Sequence, residues 1–468
     1  MPRSGCRKLR LPARLVSIVI VAIFLNIALG CFAQGASSTA PSDKVVAVRG
    51  AKIYPISGPP IDNGVLVIRG GKIEAVGAVS SVSIPAGAEV IDATGKVVMP
   101  GIVDTHSHIG IIGNPPIAAN QDANESSGPL QPQLRAIDAI NPAAPGIRVA
   151  LSGGITTANI MPGSGNVIGG QTAYVKLRGQ TIEEMVIPGT IGGMKMANGE
   201  NPKGYGRRNQ APMTRMETAA LARREYTKAE EYKRKWDDYN KAVAAGNKDA
   251  KQPERDLGME ALVQVLEGKR IVQHHSHRAD DIMTLIRISD EFHYRVVVHH
   301  GSEAYQIANE LAKRKIPVTL TIVDSPGGKE ETVDLRDDGA AILERAGVKI
   351  AINTDDPINN SRFIIREAAL AVRGGMTEDG ALRALTINAA DMLDLGNRVG
   401  SLEPGKDGDF IILSGPPFSV YTKVLETWIE GQKVFDRSNP ADLHYATGGY
   451  DAADRYPKVN FTAAGGAQ

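Results

Sequence analysis

Cysteine, aromatic residues and net charge are all scarce in this chain of 468 residues. Cys6 and Cys31 are its two cysteines, so the chain beyond residue 31 can form no internal disulfide and has no thiolate to act as nucleophile or metal ligand. The formal net charge is +1, and no basic stripe interleaved with aromatics is present. This composition argues against a nucleic-acid partner. Because the chain beyond residue 31 has no thiolate, any metal bound there must be held by histidine, carboxylate or modified lysine.

The first 33 residues differ in kind from the rest, because a basic start is followed by an apolar stretch from residue 15 to residue 29 and then by small residues. This order is typical of a secretory signal peptide. Cleavage after Ala33 predicts an exported protein, periplasmic or extracellular. The alternatives are a lipoprotein with lipid on Cys31 and an uncleaved anchor. Contact with a membrane is expected only through this leader or such a lipid.

The remaining chain has β-rich flanks around a long central region. Residues 34–44 are rich in Ser, Ala and Pro and are typical of a linker. Residues 45–98 and 398–437 contain short strand-like segments broken by Gly and Pro, and we expect them to pair into one small composite β-sandwich. Residues 438–468 are expected to be a polar tail.

The central region, residues 99–397, alternates apolar runs with helical segments. Counting the strand that ends at His108, eight strands are predicted, which is the count of an α/β fold of the (β/α)8 TIM-like barrel type. A charged helical insertion at about 203–260 interrupts the alternation, and Thr214 with Glu217 predicts a capping box at its start. The strands predicted after the first lie at 154–160, 172–177, 193–197, 270–275, 294–300, 316–323 and 348–354.

The most informative stretch is the apolar run 97–103, which is followed shortly by His106 and His108. Residues two apart in a strand point to the same side, so both imidazoles can reach a single ion beyond the strand's end. Imidazole is a good ligand for zinc and similar divalent metals. The alternative is a pair of surface histidines in a loop.

Further residues of types that bind metals lie at the ends of later predicted strands, where barrels of this kind have their active sites. His275, His300 and Asp355 end the fifth, sixth and eighth strands. A spacing of 25 residues separates the two histidines, as one strand–helix unit would, and 55 residues separate His300 from Asp355, as two units would. Lys195 lies in the fourth strand and Glu200 just after it.

This ordered set of His-x-His, Lys, His, His and Asp resembles the amidohydrolase superfamily, particularly its imidazolonepropionase-like and prolidase-like branch. The most specific pieces are Pro100 to His108, the Gly-Ile-Thr-Thr of residues 154–157, and Asp355. The resemblance covers roughly residues 45–436.

The resemblance implies that His106 and His108 bind a more buried metal ion and that His275 and His300 bind a second one. It implies that Asp355 also coordinates metal and accepts the proton of the attacking water. The cofactor is then a divalent metal, one or two ions per chain. Zinc is favoured, although manganese, iron or cobalt would suit the same ligands.

Two lysines and a glutamate compete for the bridging position. In dihydroorotase-like members the lysine matching Lys195 is carboxylated by carbon dioxide and bridges both metals, and burial would supply the neutral amine that this reaction needs. Glu200 is the alternative ligand, and Lys176 is a weaker third candidate. Imidazolonepropionase itself holds one metal, so a mononuclear site remains open.

The other histidines beside the proposed ligands are assigned by strand alternation. His277 shares the parity of His275, so it could face the site as a catalytic or substrate contact, or it could be structural. His274 and His299 are expected on the opposite side of their strands, in packing or supporting roles. In the loop after the fourth strand, Tyr205, Arg207 and Arg208 could bind a substrate carboxylate, with an ordinary charged surface as the alternative.

The function these features favour is hydrolysis of a non-ester C–N bond, in an amide, peptide or cyclic amide, by a metal-activated hydroxide. We rank first an exported amidohydrolase or dipeptidase whose small-molecule substrate is a dipeptide or a cyclic amide. Assembly into a homo-oligomer is possible. The alternative is a mononuclear imidazolonepropionase-like hydrolase or a deaminase. A non-catalytic binding barrel is a remote alternative. The glycine-rich stretch 163–170 lacks the Gly-Lys-Ser/Thr ending of a phosphate-binding loop and is expected at the barrel mouth.

Overall fold

The structure is a computed structural model that describes residues 44–113, 117–321 and 329–448. The predicted signal peptide with Cys31, nearly all of the linker, the tail beyond residue 448, and the side chains of Arg207 and Arg208 lie outside the described part. Within it, no helix is both long and apolar enough to cross a bilayer.

The described residues form a mixed α/β structure in which β-branched runs make the strands. The strands are β1 (Val45–Ile53), β2 (Ile61–Arg69), β3 (Lys72–Ala78), β4 (Glu89–Asp92), β5 (Val97–Pro100), β6 (Ile102–Ser107), β7 (Ile155–Ile160), β8 (Ile168–Gln171), β9 (Ala173–Lys176), β10 (Met194–Ala197), β11 (Val272–Ser276), β12 (Val296–His300), β13 (Val318–Leu320), β14 (Ile350–Ile352), β15 (Phe410–Leu413), β16 (Val424–Ile429) and β17 (Gln432–Asp436).

Helices separate the later strands. They are α1 (Pro145–Ser152), α2 (Ile182–Met185), α3 (Arg215–Ala244), α4 (Leu257–Leu266), α5 (Ala279–Phe292), α6 (Ala308–Arg314), α7 (Gly339–Arg345), α8 (Ile364–Arg373), α9 (Glu378–Leu385), α10 (Ile387–Asp391) and α11 (Pro440–Thr447). Short 3-10 turns lie between several of them.

The two flanks of the chain contribute strands to one sheet, in the order β17-β16-β15-β5-β1-β2-β3 with β4 paired to β1. The junction is the antiparallel pair of β5 and β15, in which Val98 faces Ile412. Phe410 and Trp428 stack at 5.3 Å in the core on one side of this sheet. Apolar burial is the main stabilising term in such a core, so packing holds the two β-rich flanks together.

Two further sheets position the candidate site. One has the order β14-β13-β12-β11-β10-β8, with β10 to β14 parallel, and the other has the order β6-β7-β9. A parallel bridge between Ser107 and Asp356 connects β6 to the segment after β14. All six residues of β6 are buried, as expected for a strand covered on both faces.

The third predicted barrel strand departs from the expected pattern. It corresponds to β9, but β9 runs antiparallel to β7, with Thr157 facing Lys176. Residues 161–172, which connect β7 to β9, contain β8 but no helix. A hairpin-like return therefore replaces a full strand–helix crossover here, because a parallel connection needs a longer helical segment.

The charged insertion forms α3, whose cap is half of the predicted box. The Thr214 side chain accepts a hydrogen bond from the backbone N–H of Glu217 at 3.1 Å. Leu221 and Tyr226 are buried on the inner face, while the second half of the helix is largely exposed. The charged residues of this helix therefore form a mostly solvated face.

The start of the predicted polar tail is folded. Helix α11 packs against α1, where the Arg148 guanidinium pairs with Asp442 and the Ser152 hydroxyl donates to the carbonyl of Tyr445 at 3.3 Å. The Asn439 side chain caps this helix by accepting from the Ala441 N–H at 3.0 Å.

Candidate metal centre

The candidate ligands meet because β6 and the segment after β14 are joined at their carboxyl ends. The backbone N–H of Asp355 donates to the carbonyl of His106 at 3.0 Å, and the N–H of His108 donates to the carbonyl of Asp356 at 3.1 Å. The buried Asp104 carboxylate supports the same junction by accepting from the Thr354 hydroxyl at 2.6 Å. The backbone around both histidines is thus fixed before any ligand binds.

The first group of ligand atoms is formed by two histidines and a carboxylate. Asp355 Oδ1 lies 3.3 Å from His106 Nε2 and 3.2 Å from His108 Nε2. Two donors on one metal ion, each at about 2.1 Å, are separated by about 3–4 Å, so these distances suit a shared ion. The Nδ1 of His108 lies 2.7 Å from the carbonyl of Met161, which fixes the ring with Nε2 toward the carboxylate.

His300 lies beside this first group, joins His106 and Asp355 in a set of converging ligand atoms, and also belongs to a second group. The ligand atoms of His275, His277 and His300 lie within 4.8 Å of one another, as do those of His106, His300 and Asp355. Ser302 and Thr321 contact the Nδ1 atoms of His277 and His300 at 2.8 and 3.0 Å. The Nε2 atoms of both rings are buried without a hydrogen-bond partner, and buried nitrogens of this kind are suited to a metal ion.

Backbone strain is concentrated at two of these residues. His300 has a φ of 73° and Asp355 a φ of 50°, in the left-handed region that residues other than glycine seldom adopt. Such conformations cost free energy and cluster where a site needs a particular side-chain direction. Here they turn both side chains toward the same group.

Burial keeps the histidines neutral, which is the form that binds metal. Desolvation lowers the pKa of His106, His275 and His300 well below the ordinary value, with neighbouring charges adding to the effect. Burial also lowers the pKa of His277 to about 3, with Lys329 nearby as a further cause. Neutral imidazoles at neutral pH are therefore available as ligands.

Lys195 lies within the group and Glu200 does not. The Nζ of Lys195 is 3.1 Å from His106 Nε2 and 3.3 Å from the sulfur of Met161. Burial lowers the pKa of Lys195 to about 7, so a neutral amine is accessible. Among the described residues, Glu200 belongs to neither group of converging ligand atoms. The geometry thus favours Lys195 over Glu200.

Lys176, the third candidate, is held elsewhere. Its ammonium group contacts Asp407, with Asp409 and Glu430 each at 3.1 Å. These carboxylates belong to the segment around β15 and β16, so Lys176 ties β9 to the composite sheet. Although burial opposes the charged form, the carboxylates raise its pKa overall, which excludes it as a neutral amine.

Tyr205 was expected to contact substrate, but its hydroxyl is buried in the protein. It lies 2.6 Å from the carbonyl of Glu125 and 2.9 Å from that of Gly128, and it accepts from the Asn166 amide at 2.9 Å. A hydroxyl engaged in this way fixes the 125–128 loop. These contacts give the Tyr205 hydroxyl a role in loop packing rather than in substrate binding.

The expected alternation holds for His274 and fails for His299. His274 lies on the helix-facing side, near Ala222 and Leu285. The His299 ring lies 4.8 Å from that of His106, and its Nε2 is 2.7 Å from Gln273 Oε1. Because the left-handed φ of His300 turns the chain at the strand end, two consecutive side chains face inward.

Several supporting residues have no recognisable pattern in the sequence. Met161 holds His108, Ser164 contacts His275 Nδ1 at 2.9 Å, and the Asn201 amide lies 3.3 Å from His275 Nε2. Ser164 lies in the glycine-rich stretch 163–170, and the expectation that this stretch lies near the site was the available signal. The other contacts depend on loop conformation.

Comparison with known proteins identifies the relatives of this chain. The model of the amidohydrolase family matches residues 97–434. Amidohydrolase tasK of Hapsidospora irregularis is 32% identical over 390 residues, covering 80% of this chain. This chain spans only 40% of the length of that relative.

Two further relatives match along nearly their whole length. The solved structure of an amidohydrolase from Thermotoga maritima is 40% identical with a TM-score of 0.78, and the match covers 84% of this chain and 100% of that one. The imidazolonepropionase of Rhizobium rhizogenes is 24% identical over 397 residues, covering 77% of this chain and 89% of that protein. These matches confirm the superfamily and branch that the histidine pattern predicted.

Proposed function

The chain belongs to the amidohydrolase family, whose members hydrolyse carbon–nitrogen bonds, and from that premise we propose that it is a metal-dependent amidohydrolase. The proposal depends mainly on one observation: Asp355 Oδ1 lies 3.3 Å from His106 Nε2 and 3.2 Å from His108 Nε2, beside a second group of histidines. The proposed fold is a (β/α)8 TIM-like barrel with a composite β-sandwich, supported by the parallel run from β10 to β14 and by the sheet that joins both flanks.

The described residues suit one or two divalent ions. His106, His108 and Asp355 would hold one ion, and His275 and His300, with His277 close by, would hold the other. Lys195, as a carboxylated side chain, is proposed as the bridging ligand. A bound cation of this kind, zinc in our proposal, supplies Lewis acidity that acidifies water and polarises a carbonyl group.

The protein's own contribution to the reaction is to position Asp355 and keep it accessible. Its side chain is 16% exposed, whereas that of His106 is fully buried, so the carboxylate faces the open side of the group. It can therefore take a proton from a nucleophilic water and deliver it to the leaving nitrogen, as general base and then general acid. His277, with a buried and unpartnered Nε2, stands where it can contact the substrate or a metal ion.

The proposed substrates are dipeptides or cyclic amides, with Arg207 and Arg208 as candidate contacts for a substrate carboxylate. The relative named imidazolonepropionase supports a cyclic-amide hydrolase as the second candidate. Export is proposed from the basic and apolar leader, with cleavage after Ala33 and lipidation at Cys31 as the alternative. The N-terminal mass of protein from the source cell distinguishes these.

The test is hydrolysis of a panel of dipeptides and cyclic amides by the zinc-loaded protein. Asp355→Asn should lower kcat by about a thousandfold or more, because the proton acceptor is lost, while far-UV circular dichroism is unchanged. Asp62→Asn, at an exposed aspartate, is the matched control and should retain full activity. No amide cleavage by the wild type, or undiminished turnover in Asp355→Asn, would contradict the proposal.

A further inference from the structure

A cavity of about 600 Å³ lies next to the candidate metal centre. One wall is the segment that follows β6, beginning at Ile109, a second is the segment that follows β14, beginning at Asp356, and a third is formed by α1 and the residues just before it. Ile109 comes directly after His108, and Asp356 comes directly after Asp355. The residues that directly follow two candidate metal ligands therefore line the cavity, which places it beside the candidate metal centre.

The surface that the cavity offers is mainly apolar. Its apolar lining includes Ile109, Ile111, Ile112, Val149, Pro357 and Ile358. Among the described residues that line it there is no lysine or arginine, and the charged ones are Asp122 and Asp356. A low-dielectric pocket with carboxylates and no cation disfavours an anionic ligand.

The polar side chains of the lining are largely occupied by the protein itself. The Gln121 amide donates to the carbonyl of Gly113 at 2.9 Å, and Asn141 Oδ1 accepts from the Ala143 N–H at 3.0 Å. The Asp356 carboxylate accepts from the Ser361 hydroxyl at 2.5 Å and the Ser361 N–H at 2.9 Å. What remains for a ligand is contact with hydrocarbon.

The walls are fixed by backbone hydrogen bonds and are open without rearrangement. The N–H of Ile111 donates to the carbonyl of His108 at 3.1 Å, and the N–H of Asn141 donates to the carbonyl of Gly110 at 2.9 Å. Cavities of about 300–1,000 Å³ are typical of small-molecule sites, and this volume accommodates a substituted phenyl ring.

We propose that this cavity binds a bulky apolar group of the substrate, uncharged or cationic, on one side of the scissile C–N bond. The inference rests on the proposed function, because it assumes that the bond is cleaved at the metal centre. It narrows the substrate class to amides with a large hydrophobic substituent and disfavours substrates with an anionic group at this end.

The test uses a neutral probe, N-(4-fluorophenylacetyl)glycinamide, with N-acetylglycinamide as the small reference and N-(4-carboxyphenylacetyl)glycinamide as the anionic one. Dissociation constants are measured by calorimetry on the zinc-loaded protein. The wild type should bind the fluorophenyl probe at least about tenfold more tightly than either of the others, as expected for burying a ring. Equal affinity for all three, or preference for the anionic probe, would overturn the proposal.

Two matched variants locate the binding. Ala144 lines the cavity, whereas the neighbouring Ala143 is exposed and does not. Ala144→Phe should abolish the preference for the ring, while Ala143→Phe should keep it, at equal zinc content and equal circular dichroism. If Ala144→Phe does not fold, Ile358→Lys at an exposed lining position serves instead, and it should improve binding of the anionic probe. Insensitivity of the soluble lining variant would overturn the proposal.

A paramagnetic measurement separates this inference from the proposed function. In manganese-loaded protein the ¹⁹F resonance of the bound fluorophenyl probe should broaden strongly relative to zinc-loaded protein. A probe that binds in an Ala144-dependent way without broadening would place the cavity away from the metal and overturn the inference. Cleavage of small amides without any ring preference would overturn the inference alone. Ring binding with broadening, but no amide cleavage, would support the cavity and contradict the proposed reaction.

Discussion

The amine nitrogen of Lys195 lies 3.1 Å from Nε2 of His106, inside a group that is almost entirely closed to solvent. A charged ammonium at that distance would compete with a metal ion for the imidazole. Burial lowers the pKa of Lys195 to about 7, so a neutral or carboxylated side chain is compatible with metal binding at this position.

We predict that Lys195→Ala lowers kcat by about a hundredfold or more, because the bridging ligand is lost. Glu200→Ala is the comparison, since Glu200 is the alternative bridging residue, and it should change kcat less than about threefold. Steady-state hydrolysis of the best amide of the panel measures both. Reversal of the two effects would assign the bridge to Glu200.

Lys176 is predicted to be structural. Lys176→Met leaves the buried Asp409 carboxylate without its cation, whereas Asp407 keeps Lys72 and Arg398, so the change should lower the free energy of unfolding by about 3–5 kcal/mol. Urea denaturation measures this, with Lys235→Met, at an exposed lysine of α3, as the control. The folded Lys176→Met protein should hold as much metal as the wild type, and a loss of metal at unchanged stability would return Lys176 to the site.

Tyr205 is predicted to stabilise the loop at 125–128 rather than to bind substrate. Tyr205→Phe leaves the Asn166 amide and two loop carbonyls without the hydroxyl, which should cost about 1–3 kcal/mol of unfolding free energy. Tyr421→Phe, at a tyrosine that is 86% exposed, should cost nothing measurable. A raised KM with unchanged stability in Tyr205→Phe would support a substrate contact instead.

The ligands at strand ends could be predicted because strand geometry is periodic. His106 and His108 follow an apolar strand, and the spacings to His275, His300 and Asp355 match strand–helix units, so their convergence follows from topology. The sheet that joins both flanks also followed from matching apolar segments at the two ends of the chain.

The rest depended on local backbone conformation and on long-range contacts. The left-handed φ of His300, which lets its side chain face inward beside that of His299, has no sequence signal because histidine there looks like any strand residue. The antiparallel direction of β9 could not be predicted, because an antiparallel strand and a parallel one have the same apolar pattern in the sequence. The partners of Tyr205 and Lys176 are up to 254 positions away along the chain, so periodicity could not identify them.

The most direct test of the metal centre is the metal content per chain of purified protein, measured by inductively coupled plasma mass spectrometry after zinc loading and desalting. His300 belongs to both ligand groups, so His300→Ala should retain less than about half of the wild-type metal, whereas His444→Ala, at an exposed histidine of α11, should retain all of it. The wild-type protein is expected to bind one or two zinc ions per chain. A wild type that binds no metal, or a His300→Ala protein with undiminished metal, would contradict it.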